Sequence, residues 1–181
     1  MVYLFLADGF EEIEALTPVD MLRRAGVKLS TVSITENMCV TGSHGIQIIS
    51  DYTIDELDKK IKPEMVILPG GGVGTENLAA SAEVKKILTD ASKNGAYIAA
   101  ICAAPSVLGK MGLLSGREAV CYPGFEKFLT GAKISDKPVA VDGKFITARG
   151  MGVSLEFSLA LVAALCGQNK SDELKKSVMA I

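Results

Sequence analysis

Three short stretches of this chain are apolar throughout and end abruptly: Val2–Ala7 at Asp8-Gly9, Met65–Leu68 at Pro69-Gly70-Gly71-Gly72, and Ala96–Ile101 at Cys102. A strand with one wet face alternates apolar and polar residues. A continuous apolar run of this length predicts a strand covered on both faces. Between the runs the spacing turns helical. Ile13, Leu16, Val19 and Leu22 recur about a turn apart in a helix expected over Glu11–Ala25, with Gly26 as its stop. Ser81–Asn94, Val153–Leu165 and Lys170–Met179 read as further helices, the third of these four apolar and buried, the last amphipathic. Val27–Ile34, Ile46–Ile49, Glu118–Cys121 and Lys144–Ala148 read as further strands, with loop signals across Thr35–Asp51. Alternation of this kind predicts an α/β chain with a mostly parallel sheet and helices on both faces.

Composition narrows the class. With 181 residues, 49% hydrophobic and 22% charged, the chain can bury a core without staples, and residues 1–181 are expected to form a single domain. Nineteen basic against 21 acidic residues leave a net charge of -2, without the basic excess of a nucleic-acid module. Charges or glycines interrupt every apolar run before membrane-spanning length. The first residues lack the basic start of a secretory signal and read as a strand. Cys39, Cys102, Cys121 and Cys166 form no CxxC pair and do not cluster with His44, the only histidine. Neither a zinc site nor a disulfide scaffold is expected, and reduced thiols point to the cytoplasm.

In a parallel sheet, ligands gather outside the carboxyl ends of the strands. The exits expected there are Asp8–Glu14, Pro69–Gly72, Cys102–Pro105 and Arg149–Gly152. Cys102 lies where a strand turns into a helix, flanked by Ala100 and Ala104, small enough for the tight elbow that glycines make around a nucleophilic serine. Pro105 suits the helix's first turn. A thiol there should feel the helix dipole, which predicts a pKa lowered to the order of 5–6. The local sequence equally fits a buried structural cysteine. Gly70-Gly71-Gly72 offers backbone N–H groups for an anion or oxyanion, or is simply a tight turn. Glu11 and Glu12 suit the positive start of a helix. Glu14 falls on the inward-leaning side, where a carboxyl could move a proton to a thiolate or a substrate. His44 reads as a loop residue.

Together these segments resemble the DJ-1/ThiJ/PfpI superfamily, and within it the DJ-1-like branch. The resemblance is carried by Asp8-Gly9-Phe10-Glu11-Glu12-Ile13-Glu14, Thr17-Pro18-Val19-Asp20, Arg23-Arg24-Ala25-Gly26, Leu68-Pro69-Gly70-Gly71-Gly72, Ala99-Ala100-Ile101-Cys102-Ala103-Ala104-Pro105 and Thr147-Ala148-Arg149-Gly150. It implies a flavodoxin-like three-layer sandwich, usually homodimeric. It implies Cys102 as the reactive cysteine, Glu14 as its acid, and the N–H groups of Gly71 and Ala103 as an oxyanion hole. Gly72 and Tyr122 would border the pocket. Asp20 and Arg24 would lie near the site and the dimer contact, and His44 near a position that reaches the neighbouring subunit's site. Family peptidases carry histidine directly after the cysteine; Ala103 stands there. DJ-1 carries a histidine where Tyr122 stands. The implied activity is a cofactor-independent glyoxalase or deglycase acting on methylglyoxal, glyoxal or their early protein adducts, with no metal. The alternative is a cysteine-based oxidative-stress sensor or redox-regulated chaperone.

Overall fold

The computed structural model describes residues 1–58 and 60–180. Its strands are β1 (Val2–Leu6), β2 (Leu29–Ser33), β3 (Cys39–Thr41), β4 (Gln47–Ile49), β5 (Tyr52–Thr53), β6 (Met65–Leu68), β7 (Tyr97–Ile101), β8 (Glu118–Ala119), β9 (Lys133–Ile134), β10 (Val139–Asp142) and β11 (Phe145–Ala148). Its helices are α1 (Glu12–Arg24), α2 (Gly72–Ala80), α3 (Ala82–Lys93), α4 (Pro105–Lys110), α5 (Ser154–Cys166) and α6 (Gln168–Ser177). Seven strands form the central sheet in the order β10-β11-β7-β6-β1-β2-β5. All its pairings are parallel except β10 with β11.

The three apolar runs are the sheet's centre. Alternate residues of a strand point to opposite faces, and here both faces are dry. Tyr3, Phe5, Val66, Leu68, Ile98 and Ala100 meet Val84 and Leu88 of α3 and Val107 and Leu108 of α4. Val2, Leu4, Leu6, Ile67, Ala99 and Ile101 meet Ala15, Val19 and Leu22 of α1 and Phe157, Leu161 and Val162 of α5. The result is the expected α/β sandwich.

The structure departs from the sequence reading in four places. Gln47–Ile49 is a strand, but it pairs with β3 in a separate hairpin. Only Glu118 and Ala119 pair in the segment read as a longer strand, and they pair with β9 outside the main sheet. The chain then turns to the sheet edge, where Val120 N–H donates to Thr147 Oγ1 at 2.9 Å. The apolar helix α5 buries one stripe, Ser154, Phe157, Ser158, Leu161 and Val162, rather than its whole surface. A helix, α2, follows Gly71 at once.

The chain leaves β1 for β2 on one side and later returns as β6 on the other side of β1. Loops at the carboxyl ends of β1 and β6 therefore diverge and open a crevice. Glu14 follows β1, Gly70 and Gly71 follow β6, and Cys102 follows the neighbouring β7.

Candidate active site

Cys102 has a φ of +64°, a region L-residues enter at a cost of roughly 1–2 kcal/mol. Among the described residues the only other non-glycine with positive φ is Met179, near the chain's end. The turn is clamped on both sides. Cys102 N–H donates to Ala148 O at 2.9 Å, and Cys102 O accepts from Tyr122 N–H at 2.7 Å. Ala100 and Ala104 are fully buried against the bend, and α4 starts directly after them at Pro105.

Glu14 sits in the first turn of α1 with no solvent exposure. Its Oε2 accepts the Gly70 N–H at 2.9 Å and Oε1 has no partner, and the Cys102 thiol is close enough to influence its titration. Gly70 makes this contact possible. A Cβ there would lie 2.5 Å from Glu14 Oε2 and 2.6 Å from Cys102 Cβ. Gly71 takes a φ of +92°, and a Cβ on it would strike Gly9 O. Its N–H and that of Ala103 both favour the charged form of the Cys102 sulfur.

Burial pushes the Glu14 carboxyl up to about 7, against the Cys102 thiol and the Gly70 hydrogen bond, which pull it down. Burial and the Glu14 charge push the Cys102 thiol up to about 12, against the N–H groups of Ala103 and Gly71. The direction is opposite to the one that the elbow alone predicts. The reason is the neighbour: two groups this close do not both carry negative charge without a large penalty. They titrate as a pair, whose first proton leaves near neutrality and whose second is strongly held. The helix that should lower the thiol, α4, is only 6 residues long.

Tyr122 forms one wall. A Cβ on Gly150 would lie 3.3 Å from the Tyr122 ring and 4.0 Å from Glu14 Oε1, so Gly150 adjoins both the half-exposed ring and the unpartnered oxygen. Gly72, at the start of α2, leaves open space around its Cα.

The other expected site residues gather elsewhere. Asp20 and Arg24 pair with each other at 2.7 Å on the exposed side of α1, further along the helix than Glu14. His44 is exposed and held at the start of α1. Its Nδ1 lies 2.8 Å from Glu12 Oε2 and 3.6 Å from Glu11 Oε2, and its N–H donates to Glu12 Oε1 at 2.7 Å. Burial works to raise the Glu12 carboxyl, but hydrogen bonds from His44 and Ser43 outweigh it and bring it to about 2. His44 is raised by the Glu12 hydrogen bond and the charges of Glu11 and Glu12. Glu12 is thus a buried anchor for the hairpin loop, more than a dipole charge. Glu11, Glu12 and His44 place ligand-type atoms within 4.8 Å of one another. Those of Glu12 are already engaged by His44 and Ser43.

Sequence reasoning gave Gly70 only within the Gly70-Gly71-Gly72 turn and Gly150 only within the Arg149–Gly152 strand exit, with no role for either alone. Its available signal was Gly70's place at a strand exit beside two chemical groups. Nothing local marks Gly150 as the neighbour of Tyr122, because that contact is purely tertiary.

The family model for the DJ-1/PfpI family matches residues 1–164. Protein dj-1beta of Drosophila melanogaster is 36% identical over 178 residues, covering 97% of this chain and 95% of the relative. A Caenorhabditis elegans protein, glutathione-independent glyoxalase DJR-1.2, is 33% identical over 168 residues, covering 92% of this chain and 88% of that one. The solved structure of oxidized Toxoplasma gondii DJ-1 superposes with a TM-score of 0.95 at 31% identity, covering 99% of this chain and 97% of that one.

Proposed function

The chain belongs to the DJ-1/PfpI family, and from that membership we propose that it is a cofactor-independent glyoxalase. Its substrates would be methylglyoxal, glyoxal or their early protein adducts, the last making it a deglycase. The observation that carries this reading is the Cys102–Glu14 pair. A thiol on a strained elbow faces a buried carboxyl that titrates near 7 and keeps one oxygen unpartnered. The Caenorhabditis elegans relative adds support through its name.

The chemistry follows from the groups. The pair carries one negative charge. With the charge on sulfur and the proton on Glu14, Cys102 adds to the aldehyde carbon, and a C–S bond forms as the C=O π bond opens. The new oxyanion takes the Glu14 proton, steadied by the Gly71 and Ala103 N–H groups. The Glu14 carboxylate then removes the proton on the former aldehyde carbon, giving an enediolate with its charge on the ketone oxygen, and returns that proton to the neighbouring carbon as the hydroxyl proton passes from the first oxygen to the second. The product is a thioester of the 2-hydroxy acid. Water cleaves it, freeing the acid and the thiol. Methylglyoxal plus water becomes lactate, with no oxidant or reductant. Ala103 and Tyr122 place no imidazole next to Cys102, so Glu14 is the site's proton carrier.

We further place the chain in a homodimer and in the cytoplasm. Exposed Ile13 and Leu16 on α1 and Ile46 and Ile49 on the anchored hairpin suit a second copy, and all four cysteines are free thiols. Among the described residues no helix is long and apolar enough to cross a membrane.

A second reading, redox sensing at Cys102, draws on the oxidized Toxoplasma gondii structure. Two equivalents of peroxide would convert the thiol to sulfenic and then sulfinic acid, releasing one water each time. The deciding experiment is lactate release from methylglyoxal without glutathione. Turnover by the reduced chain that is lost in Cys102→Ala supports the enzyme. Its absence in the reduced chain leaves the sensor.

A further inference from the structure

A second pocket lies at the opposite end of the sheet from Cys102, where β1 and β6 begin. It is a cavity of about 320 Å³ between α3 and the segment that follows β5. That volume falls within the usual range of small-molecule sites, roughly 300–1,000 Å³. Its walls are mostly apolar: Ile54, Leu57 and Ile61 on one side, Ile87 and Ala91 of α3 on the other. Tyr3 of β1 also lines it.

Tyr3 is the informative residue. Only 5% of it is exposed, yet its hydroxyl has no hydrogen-bond partner among the described residues. That oxygen is not sealed off, since the enclosed side-chain polar atoms without a partner among the described residues are Glu14 Oε1 and Thr75 Oγ1, so the hydroxyl is open to an occupant of the cavity. Burial and the charge of Asp58 raise its pKa, so it remains a donor. Tyr3 thus offers one uncharged hydrogen-bond donor to the cavity.

The mouth supports an uncharged occupant. Its charged residues are Lys62 and Lys86 on one hand and Asp58, Glu83 and Asp90 on the other. Both signs are present, so no net field favours an ion. An aliphatic cavity of roughly 150 Å³ is enough to take up benzene. About twice that volume admits a fused two-ring molecule.

We propose that this cavity binds a small uncharged aromatic or alicyclic molecule bearing a hydroxyl or carbonyl, with its ring against Ile54, Leu57 and Ile87 and its oxygen at the Tyr3 hydroxyl. The site is separate from Cys102 and stands whether or not the chain is a glyoxalase.

The test uses 2-naphthol, with naphthalene as the partner probe lacking oxygen. Titration of the full chain followed by amide NMR should show saturable one-to-one binding, with shifts centred on Tyr3, Ile54, Leu57, Ile87 and Ala91. Cys102→Ala should bind equally well. Tyr3→Phe should weaken 2-naphthol roughly tenfold, the worth of one good hydrogen bond, and leave naphthalene unchanged. Ile87→Trp, at a position that is only half-buried, should fill the cavity and remove both. Absence of saturable binding to the wild-type chain overturns the proposal, as do shifts centred on Glu14 and Cys102. Equal 2-naphthol affinity in Tyr3→Phe overturns the role of its hydroxyl.

Discussion

Replacing Glu14 by Gln keeps its size and one acceptor oxygen but removes the exchangeable proton. Turnover should fall by roughly 10²–10⁴, the usual share of general acid–base catalysis, while iodoacetamide still labels Cys102. Near-normal lactate release by Glu14→Gln would sink the mechanism. Stability should move the other way. The Glu14 carboxyl is raised from 4.5 to about 7 in the fold, so between these pH values the unfolded chain binds fewer protons than the folded one. The wild type therefore loses stability as pH climbs through that window. Glu14→Gln should gain on it from pH 5 to 8, by up to about 3 kcal/mol in thermal or urea unfolding. A constant difference across that range would refute the buried-acid account. Labelling of Cys102 in the wild type should rise with a midpoint at or below about 7, where the pair loses its first proton. A midpoint near 12 would mean that the charge stays on Glu14, and the thiolate step would fail with it.

Among the elements, the hairpin of β3 and β4 makes the sharpest case. It is outside the main sheet and is tied to α1 through Ser43, His44 and the buried Glu12. The Glu12 carboxyl is depressed from 4.5 to about 2. Its stabilising share is present above pH 4.5 and drains away as pH falls towards 2. His44 is raised instead, so its share is complete below its ordinary value of 6.5 and fades as pH rises through the higher folded value. Wild type should thus exceed Glu12→Gln by on the order of 2 kcal/mol at pH 6 and converge with it near pH 2. Parallel acid-unfolding curves for the two would contradict this. The hairpin also marks the limit of sequence reading. Val2–Leu6, Met65–Leu68 and Tyr97–Ile101 were legible because a strand dry on both faces leaves an unbroken apolar run. The strands β5 and β9 have 2 residues each and leave no period to read. The helix α2 hides for another reason. Gly72 and Gly74 depress helix propensity, yet a Cβ on Gly74 would lie 2.7 Å from Phe10 N, so close backbone packing overrides the local preference. Cys102, Glu14, Gly71 and Ala103 could be named from strand exits and family resemblance. The direction of the Cys102 shift could not, because it depends on the distance to a residue 88 positions earlier that only the fold supplies.

At the scale of the whole molecule, Ile13, Ile46 and Ile49 are 48%, 54% and 77% exposed, on α1 and on the hairpin that His44 and Ser43 tie to its start. Sedimentation should show a species of twice 19.0 kDa at micromolar concentration. Ile13→Asp together with Ile49→Asp should return it to the single chain without unfolding it, since both positions are open to solvent. A wild-type chain that sediments only as a monomer would refute the dimer. The bend at Cys102 has a consequence for how this fold can change. Its φ of +64° is one that glycine adopts freely. Cys102→Gly should therefore raise the melting temperature, by the equivalent of about 1 kcal/mol, while abolishing lactate release. A chain drifting under selection for thermal robustness alone would move towards glycine at this position. A cysteine at this position thus runs against the preference of its own backbone.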